Sequence, residues 1–157
     1  MRGIKSINNQ KVAVIGMGMW GKNIVRNFYN LNVLEYVCDL DEDSLKTVRE
    51  QFPGVKTTKD FNEILNNAEI TGVAVVTPSH THFKLVKEAL VAGKNVYVEK
   101  PISTVAEEAR ILMELAESKN LVLMVDHLLL YHPAVNRLNY LLKKVNLVRL
   151  YMLNLTD

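Results

Sequence analysis

One stretch narrows the possible folds more than any other. The run Lys11-Val-Ala-Val-Ile15 is followed at once by Gly16-Met-Gly-Met-Trp-Gly21. The first part reads as a buried strand, and the second as a tight turn opening a helix. Gly16 allows the sharp turn, Gly18 lets a pyrophosphate approach the backbone, and Gly21 lets helix and strand pack closely. The helix N-terminus adds free N–H groups and the positive end of its dipole. Met17, Met19 and Trp20 fill the places between the glycines and count with them as cofactor-binding positions. Both methionines are also expected to serve as packing elements.

The same alternation continues along the chain. Glu35-Tyr-Val-Cys-Asp39 reads as a strand, and Asp41 caps a helix from Glu42 to Gln51 that Pro53-Gly54 ends. Asp60 and Glu63 stand at capping-box spacing, as do Thr104 and Glu107. Gly72-Val-Ala-Val-Val76, Asn95-Val-Tyr-Val98 and Leu121-Val-Leu-Met-Val125 read as further strands. Helices are expected over 81–92, with Gly93 just past the end, after Thr104, and over 134–144. Strands apolar throughout need cover on both faces. The expected fold is therefore α/β: a doubly wound parallel sheet in three αβα layers, a Rossmann dinucleotide-binding domain over 1–146. The run Leu147–Leu155 reads as a final strand-like run, and 147–157 falls outside that domain.

Composition removes other classes. In 157 residues, nineteen Lys and Arg stand against seventeen Asp and Glu. A net charge of +2 gives no electrostatic footprint for nucleic acid or an anionic membrane. The single cysteine, Cys38, excludes an internal disulfide and a Cys-rich zinc site. No apolar run approaches the roughly 18 residues of a membrane span. Met1 to Gln10 lack a signal-peptide apolar region. A cytoplasmic protein is expected, with no membrane and no nucleic-acid partner.

Asp39 ends the second strand, where a carboxylate accepts from an adenosine ribose 2′-hydroxyl. It would repel a 2′-phosphate, and Leu40 beside it offers no cation, so NAD is expected over NADP. Thr77 with Pro78, Glu99 with Lys100, and Asp126 with His127 each follow a different strand. In a parallel sheet those ends share the edge where ligands bind. Lys100, between a buried strand and Pro101, is expected to be partly buried and to donate to a substrate hydroxyl or carbonyl. His80 and His82 resemble a metal pair without a third ligand, so no metal is expected and a capping or packing role is preferred. His127 and His132 stand near the ligand edge and are as readily structural. Ser79 and Ser103 lack a nucleophile-elbow context.

These residues resemble the Gfo/Idh/MocA oxidoreductase family. The likeness runs from Val12 through Gly21 and Cys38-Asp39 to Thr77-Pro-Ser-His-Thr-His82, then through Ala89 to Glu99-Lys100-Pro101 and Tyr131-His-Pro133. It covers nearly the whole chain but only the family's N-terminal half. The resemblance implies an NAD(P)-dependent enzyme acting on a hydroxyl or carbonyl of a sugar, cyclitol or nucleotide-sugar. It implies that Lys100 lies at the nicotinamide and substrate, and that Gly16, Gly18, Gly21 and Asp39 hold the dinucleotide. Thr77, Pro78, His82 and Glu99 border the cofactor, and His127 and Tyr131 face the substrate. An arginine usual at the place of Leu130 is missing. The resemblance implies that 147–157 is the start of the family's second domain, the rest of which is expected to be missing, as in a cut piece, a truncated gene or one part of a split enzyme. A partner chain, a homo-oligomer or a non-catalytic NAD(H)-binding module stays open.

Overall fold

The computed structural model describes residues 10–144. Six strands and six helices follow one another: β1 (Val12–Ile15), α1 (Gly21–Asn30), β2 (Leu34–Cys38), α2 (Glu42–Gln51), β3 (Lys56–Thr58), α3 (Phe61–Asn66), β4 (Gly72–Val75), α4 (His82–Val91), β5 (Asn95–Val98), α5 (Ala106–Ser118), β6 (Leu123–Val125) and α6 (Pro133–Lys144). Single 3-10 turns occupy Ser79–Thr81 and Leu128–Tyr131. The residues form two units, one ending at Asp126 and the other starting at His127, so α6 belongs to the second. The strand-like run Leu147–Leu155 lies outside the described residues.

All strands of the first unit are parallel, in the order β3-β2-β1-β4-β5-β6. The chain reverses its direction of travel across the sheet between β1 and β4, which opens a crevice at their carboxyl ends. Alternate strand residues feed two cores. Ala13, Ile15, Val73 and Val75 pack with Ile64, Val86, Leu90 and Leu112 from α3, α4 and α5. Val14, Val37 and Ala74 pack with Ile24, Val25, Leu45 and Val48 from α1 and α2. Truncating a wholly buried residue such as Leu112 to alanine costs about 2–5 kcal/mol. The layered α/β arrangement expected from the sequence is the one observed.

Three helices hand over to the next strand in the same way. Asn32, Gly93 and Asn120 take φ of 57°, 79° and 54°. The following N–H groups, of Val33, Lys94 and Leu121, return to Phe28, Ala89 and Ala116 carbonyls at 3.1, 2.9 and 2.9 Å. These Schellman turns fix where each strand begins.

Starts agree less well with the sequence. Asp41 caps α2 as expected, accepting from the Ser44 N–H at 2.9 Å. The two expected capping boxes do not form. Asp60 caps α3 alone, accepting from Asn62 N–H at 2.9 Å, and among the described residues Glu63 makes no return bond. α5 is preceded by Val105, so Glu107 sits too early in the helix to reach back. β3 was not expected because its residues, Lys-Thr-Thr, are polar; among the described residues it is an edge strand paired only to β2. No described helix is long and apolar enough to cross a membrane.

Candidate functional site

The site grows from the end of β1. Gly16 takes φ of 98°, and a Cβ there would stand 2.7 Å from the Val76 carbonyl oxygen. The turn is thus pressed against the chain leaving β4, and a side chain has no room. A Cβ at Gly21 would meet the Gly16 oxygen at 2.2 Å, so α1 rests directly on the first glycine. Gly18 is different. Among the described residues nothing lies within 4 Å of its missing Cβ, and it borders a cleft of about 660 Å³ over β1, β2 and β4.

α1 has neither a side-chain cap nor an acidic residue in its first turn. Among the described residues, the Met19 and Trp20 N–H groups donate to no acceptor. The start of α1 therefore keeps its donors and dipole for an anion, unlike α2 and α3, which aspartates occupy. The open place at Gly18 and this bare helix start fit a dinucleotide pyrophosphate.

Asp39 ties the end of β2 to the glycine turn. Its Oδ2 accepts from the Met17 N–H at 2.5 Å and its Oδ1 from the Asp41 N–H at 2.8 Å. The carboxylate is thereby fixed at the lip of the cleft, which Leu40, Thr77 and Pro78 also line. Met17 is buried among Val14 and Ile24, as a packing element should be. Met19 does not pack: it is 91% exposed, because the turn carries it outward past the last core position. Cys38 lies under Asp39, and burial, with Asp39 adding its charge, pushes the thiol up to about 11. The cleft wall also contains Lys59, His80 and Lys84. Lys59 pairs with Glu42 at 2.9 Å. The absence of a cation expected from Leu40 thus holds for the chain neighbour but not for the space.

Two further groups stand at the ends of β5 and β6. Lys100 is exposed rather than partly buried, since it lies past the last residue of β5; its peptide to Pro101 is cis. Its N–H donates to Glu99 Oε2 at 3.1 Å. Burial, then the nearby Asp126 carboxyl, pushes the Glu99 carboxyl above its ordinary range. His82 does not open on the cleft. It is buried at the start of α4, with Nδ1 2.7 Å from the Pro101 oxygen and Nε2 2.7 Å from the Thr77 oxygen. It braces the chain behind Thr77 and Lys100 instead of touching a ligand. Thr77 Oγ1 lies 2.6 Å from Thr81 Oγ1, whose hydroxyl donates to the Pro78 oxygen at 2.7 Å.

His127 and Tyr131 belong to the second unit, His127 just before its 3-10 turn and Tyr131 at the end of it. His132 there accepts the Ala134 N–H at 3.2 Å and caps α6. Among the described residues, no group of three His, Cys, Asp or Glu is disposed to hold a metal. The sequence reading missed Lys59 and Lys84 as cleft residues. They come from the β3–α3 link and from α4, and only the strand order brings these beside Asp39.

Residues 10–127 match the model of the oxidoreductase family GFO_IDH_MocA, NAD-binding Rossmann fold. The chain is 32% identical over 129 residues to the scyllo-inositol 2-dehydrogenase (NADP(+)) IolW of Bacillus subtilis (strain 168), covering 81% of this chain and 36% of that protein. It is 30% identical over 135 residues to the UDP-N-acetylglucosamine 3-dehydrogenase of Acidithiobacillus ferrooxidans (strain ATCC 23270 / DSM 14882 / CIP 104768 / NCIMB 8455), covering 83% and 41%. The crystal structure of GenD2 from gentamicin A biosynthesis, in complex with NAD, superposes with a TM-score of 0.77 at 29% identity, over 85% of this chain and 38% of that one. The chain spans about two fifths of the length of the curated relatives it matches. With its glycine turn, its 3-2-1-4-5-6 parallel sheet and a family match over most of its length, this chain belongs to the Gfo/Idh/MocA oxidoreductases, through their NAD-binding Rossmann fold.

Proposed function

We propose that this chain is the dinucleotide-binding part of an oxidoreductase that moves hydride between nicotinamide and a hydroxyl or carbonyl of a sugar, cyclitol or nucleotide-sugar. One observation carries the reading: a bare helix start, an open Gly18 and a fixed Asp39 meet at a single crevice. Gly18, Met19, Trp20 and Gly21 offer the pyrophosphate their backbone, Gly16 and Met17 shape the turn beneath it with the Met17 N–H held by Asp39, and Asp39 takes the adenosine ribose. NAD comes first because the carboxylate repels a 2′-phosphate. Lys59, His80 and Lys84 in the same wall leave NADP a weaker second ligand.

When bound, the dinucleotide supplies the redox chemistry, and the chain supplies placement and charge. Thr77, Pro78 and Glu99 extend the cleft wall toward β5, and His82 braces it from behind. The exposed Lys100 ammonium donates to the substrate oxygen and passes the hydroxyl proton, while His127 and Tyr131 contact substrate. The inositol and amino-sugar relatives support a polyol substrate class. The lone thiol of Cys38 suits the cytoplasm. The test is Lys100→Ala in the enzyme that carries this chain. The NADH Kd is expected to stay within about twofold while kcat falls about 100- to 10,000-fold. Unchanged turnover removes Lys100 from the reaction.

A further inference from the structure

β3 brings a cation to the side of Asp39. It runs parallel to β2 with Cys38 opposite Thr58, so Asp39 and Lys59 leave the two strands side by side. The Asp39 N–H donates to the Thr58 carbonyl at 3.2 Å, which carries the pairing to the end of both strands. Neighbouring strands stand about 4.8 Å apart, and Asp39 and Lys59 line the same cleft.

Lys59 already has an anion of its own. Its Nζ lies 2.9 Å from Glu42 Oε2. Glu42 opens α2, directly after the Asp41 cap, and its other oxygen accepts from Arg49 Nη2 at 2.6 Å. Arg49 Nη1 donates in turn to Thr57 Oγ1 at 2.9 Å, so one carboxylate and two cations tie α2 to β3. Lys59 first, then Arg49, holds the Glu42 carboxyl below its ordinary range, and Glu42 is charged near neutral pH. Lys84, the other ammonium of the cleft wall, comes from α4 and has no carboxylate partner among the described residues.

The two cofactors differ in charge at one place. The 2′-hydroxyl of NADH is neutral and donates to Asp39. The 2′-phosphate of NADPH is anionic, and Asp39 has no donor for it, since its oxygens accept from the Met17 and Asp41 N–H groups. Lys59, beside Asp39 across the ladder, serves such a phosphate only by leaving Glu42. Both partners of that pair stand about half in solvent, and an exposed pair of this kind is weak enough to exchange. We propose that Glu42 is a specificity-determining residue: it withholds Lys59 from the adenosine 2′ position, and this ion pair, added to the charge of Asp39, sets how far NADPH lags behind NADH. With NADH bound, Lys59 stays on Glu42. With NADPH bound, the ammonium moves to the 2′-phosphate and Glu42 keeps Arg49. Opening an exposed pair lowers affinity by up to about fivefold.

This inference rests on the dinucleotide reading above. Its test is titration of the chain with NADH and with NADPH, followed by Trp20 emission, in wild type, Glu42→Gln, Lys59→Met and the double variant. Glu42→Gln is expected to lower the NADPH Kd about threefold to tenfold and to leave the NADH Kd within about twofold. Lys59→Met is expected to raise the NADPH Kd, and in its background the gain from Glu42→Gln shrinks below about twofold. Glu114→Gln makes the same change of charge on α5, where Glu114 pairs with Arg110, and leaves both Kd values unchanged. An NADPH Kd indifferent to Glu42→Gln, a gain that survives Lys59→Met, or an equal gain from Glu114→Gln overturns the role of the pair while dinucleotide binding stands. Absence of NADH binding by folded wild type overturns the dinucleotide reading, and this proposal with it.

Discussion

Replacing Gly18 by alanine separates ligand binding from folding. No atom lies within 4 Å of the added methyl, and Gly18 is not among the glycines of positive φ. Where the native backbone suits alanine, removing glycine's freedom from the unfolded chain stabilises by about 0.4–1 kcal/mol. For a chain of this size, at about 2–4 °C per kcal/mol, Tm rises by about 1–4 °C. Affinity moves the other way. The methyl enters the cleft where the pyrophosphate meets backbone N–H groups, and losing one such charge-assisted bond costs about 1.5–3 kcal/mol. The NADH Kd then rises about tenfold to a hundredfold. Gly21→Ala is the counterpart: its methyl falls 0.8 Å short of the 3.0 Å that Cβ atoms keep from other atoms. Because the obstacle is the Gly16 backbone, α1 must move, and stability and affinity fall together. The pair is read by thermal melts under circular dichroism and by NADH titration. An unchanged Kd in Gly18→Ala refutes the place given to the phosphates, and a lowered Tm refutes the open space.

Two more outcomes follow from buried groups. His82→Leu leaves the Thr77 and Pro101 carbonyls without their partner; at about 1–3 kcal/mol for each unsatisfied group, Tm falls by several degrees, and a melt within a degree of wild type removes the brace. The Cys38 thiol, pushed up to about 11 by burial, resists alkylation below about pH 9 in the folded chain. Since the unfolded thiol ionises first, stability from this group is full below about pH 9 and is lost as pH rises toward 11. Cys38→Ala should flatten that alkaline loss in urea melts, and an unaltered slope contradicts it.

The strand–turn–helix at 11–30 was legible because glycines at fixed offsets serve one backbone geometry. Gly93 was legible as a helix end for the same reason, while Asn32 and Asn120, in the same left-handed conformation, carry a weaker signal. β3 escaped because an edge strand of polar residues has no apolar period. The box at Thr104–Glu107 failed because spacing alone does not say where the helix begins. The shared edge of Asp39, Thr77 and Lys100 followed from parallel topology, but the cations of the cleft and the meeting of Trp20 with Asp126 did not. The latter joins residues 106 apart, and no local pattern encodes such a contact.

The central claim is that the crevice at Gly16–Gly21 and Asp39 holds a dinucleotide, with NAD before NADP. Trp20, the only tryptophan, lies within the turn and reports directly on its occupation. Titrating the folded chain with NADH and with NADPH while following Trp20 emission is the measurement that tests it. Saturable quenching by NADH, tighter than by NADPH and weakened by Asp39→Ala, is the predicted result. A flat NADH titration of folded protein, or one indifferent to Asp39→Ala, contradicts the account.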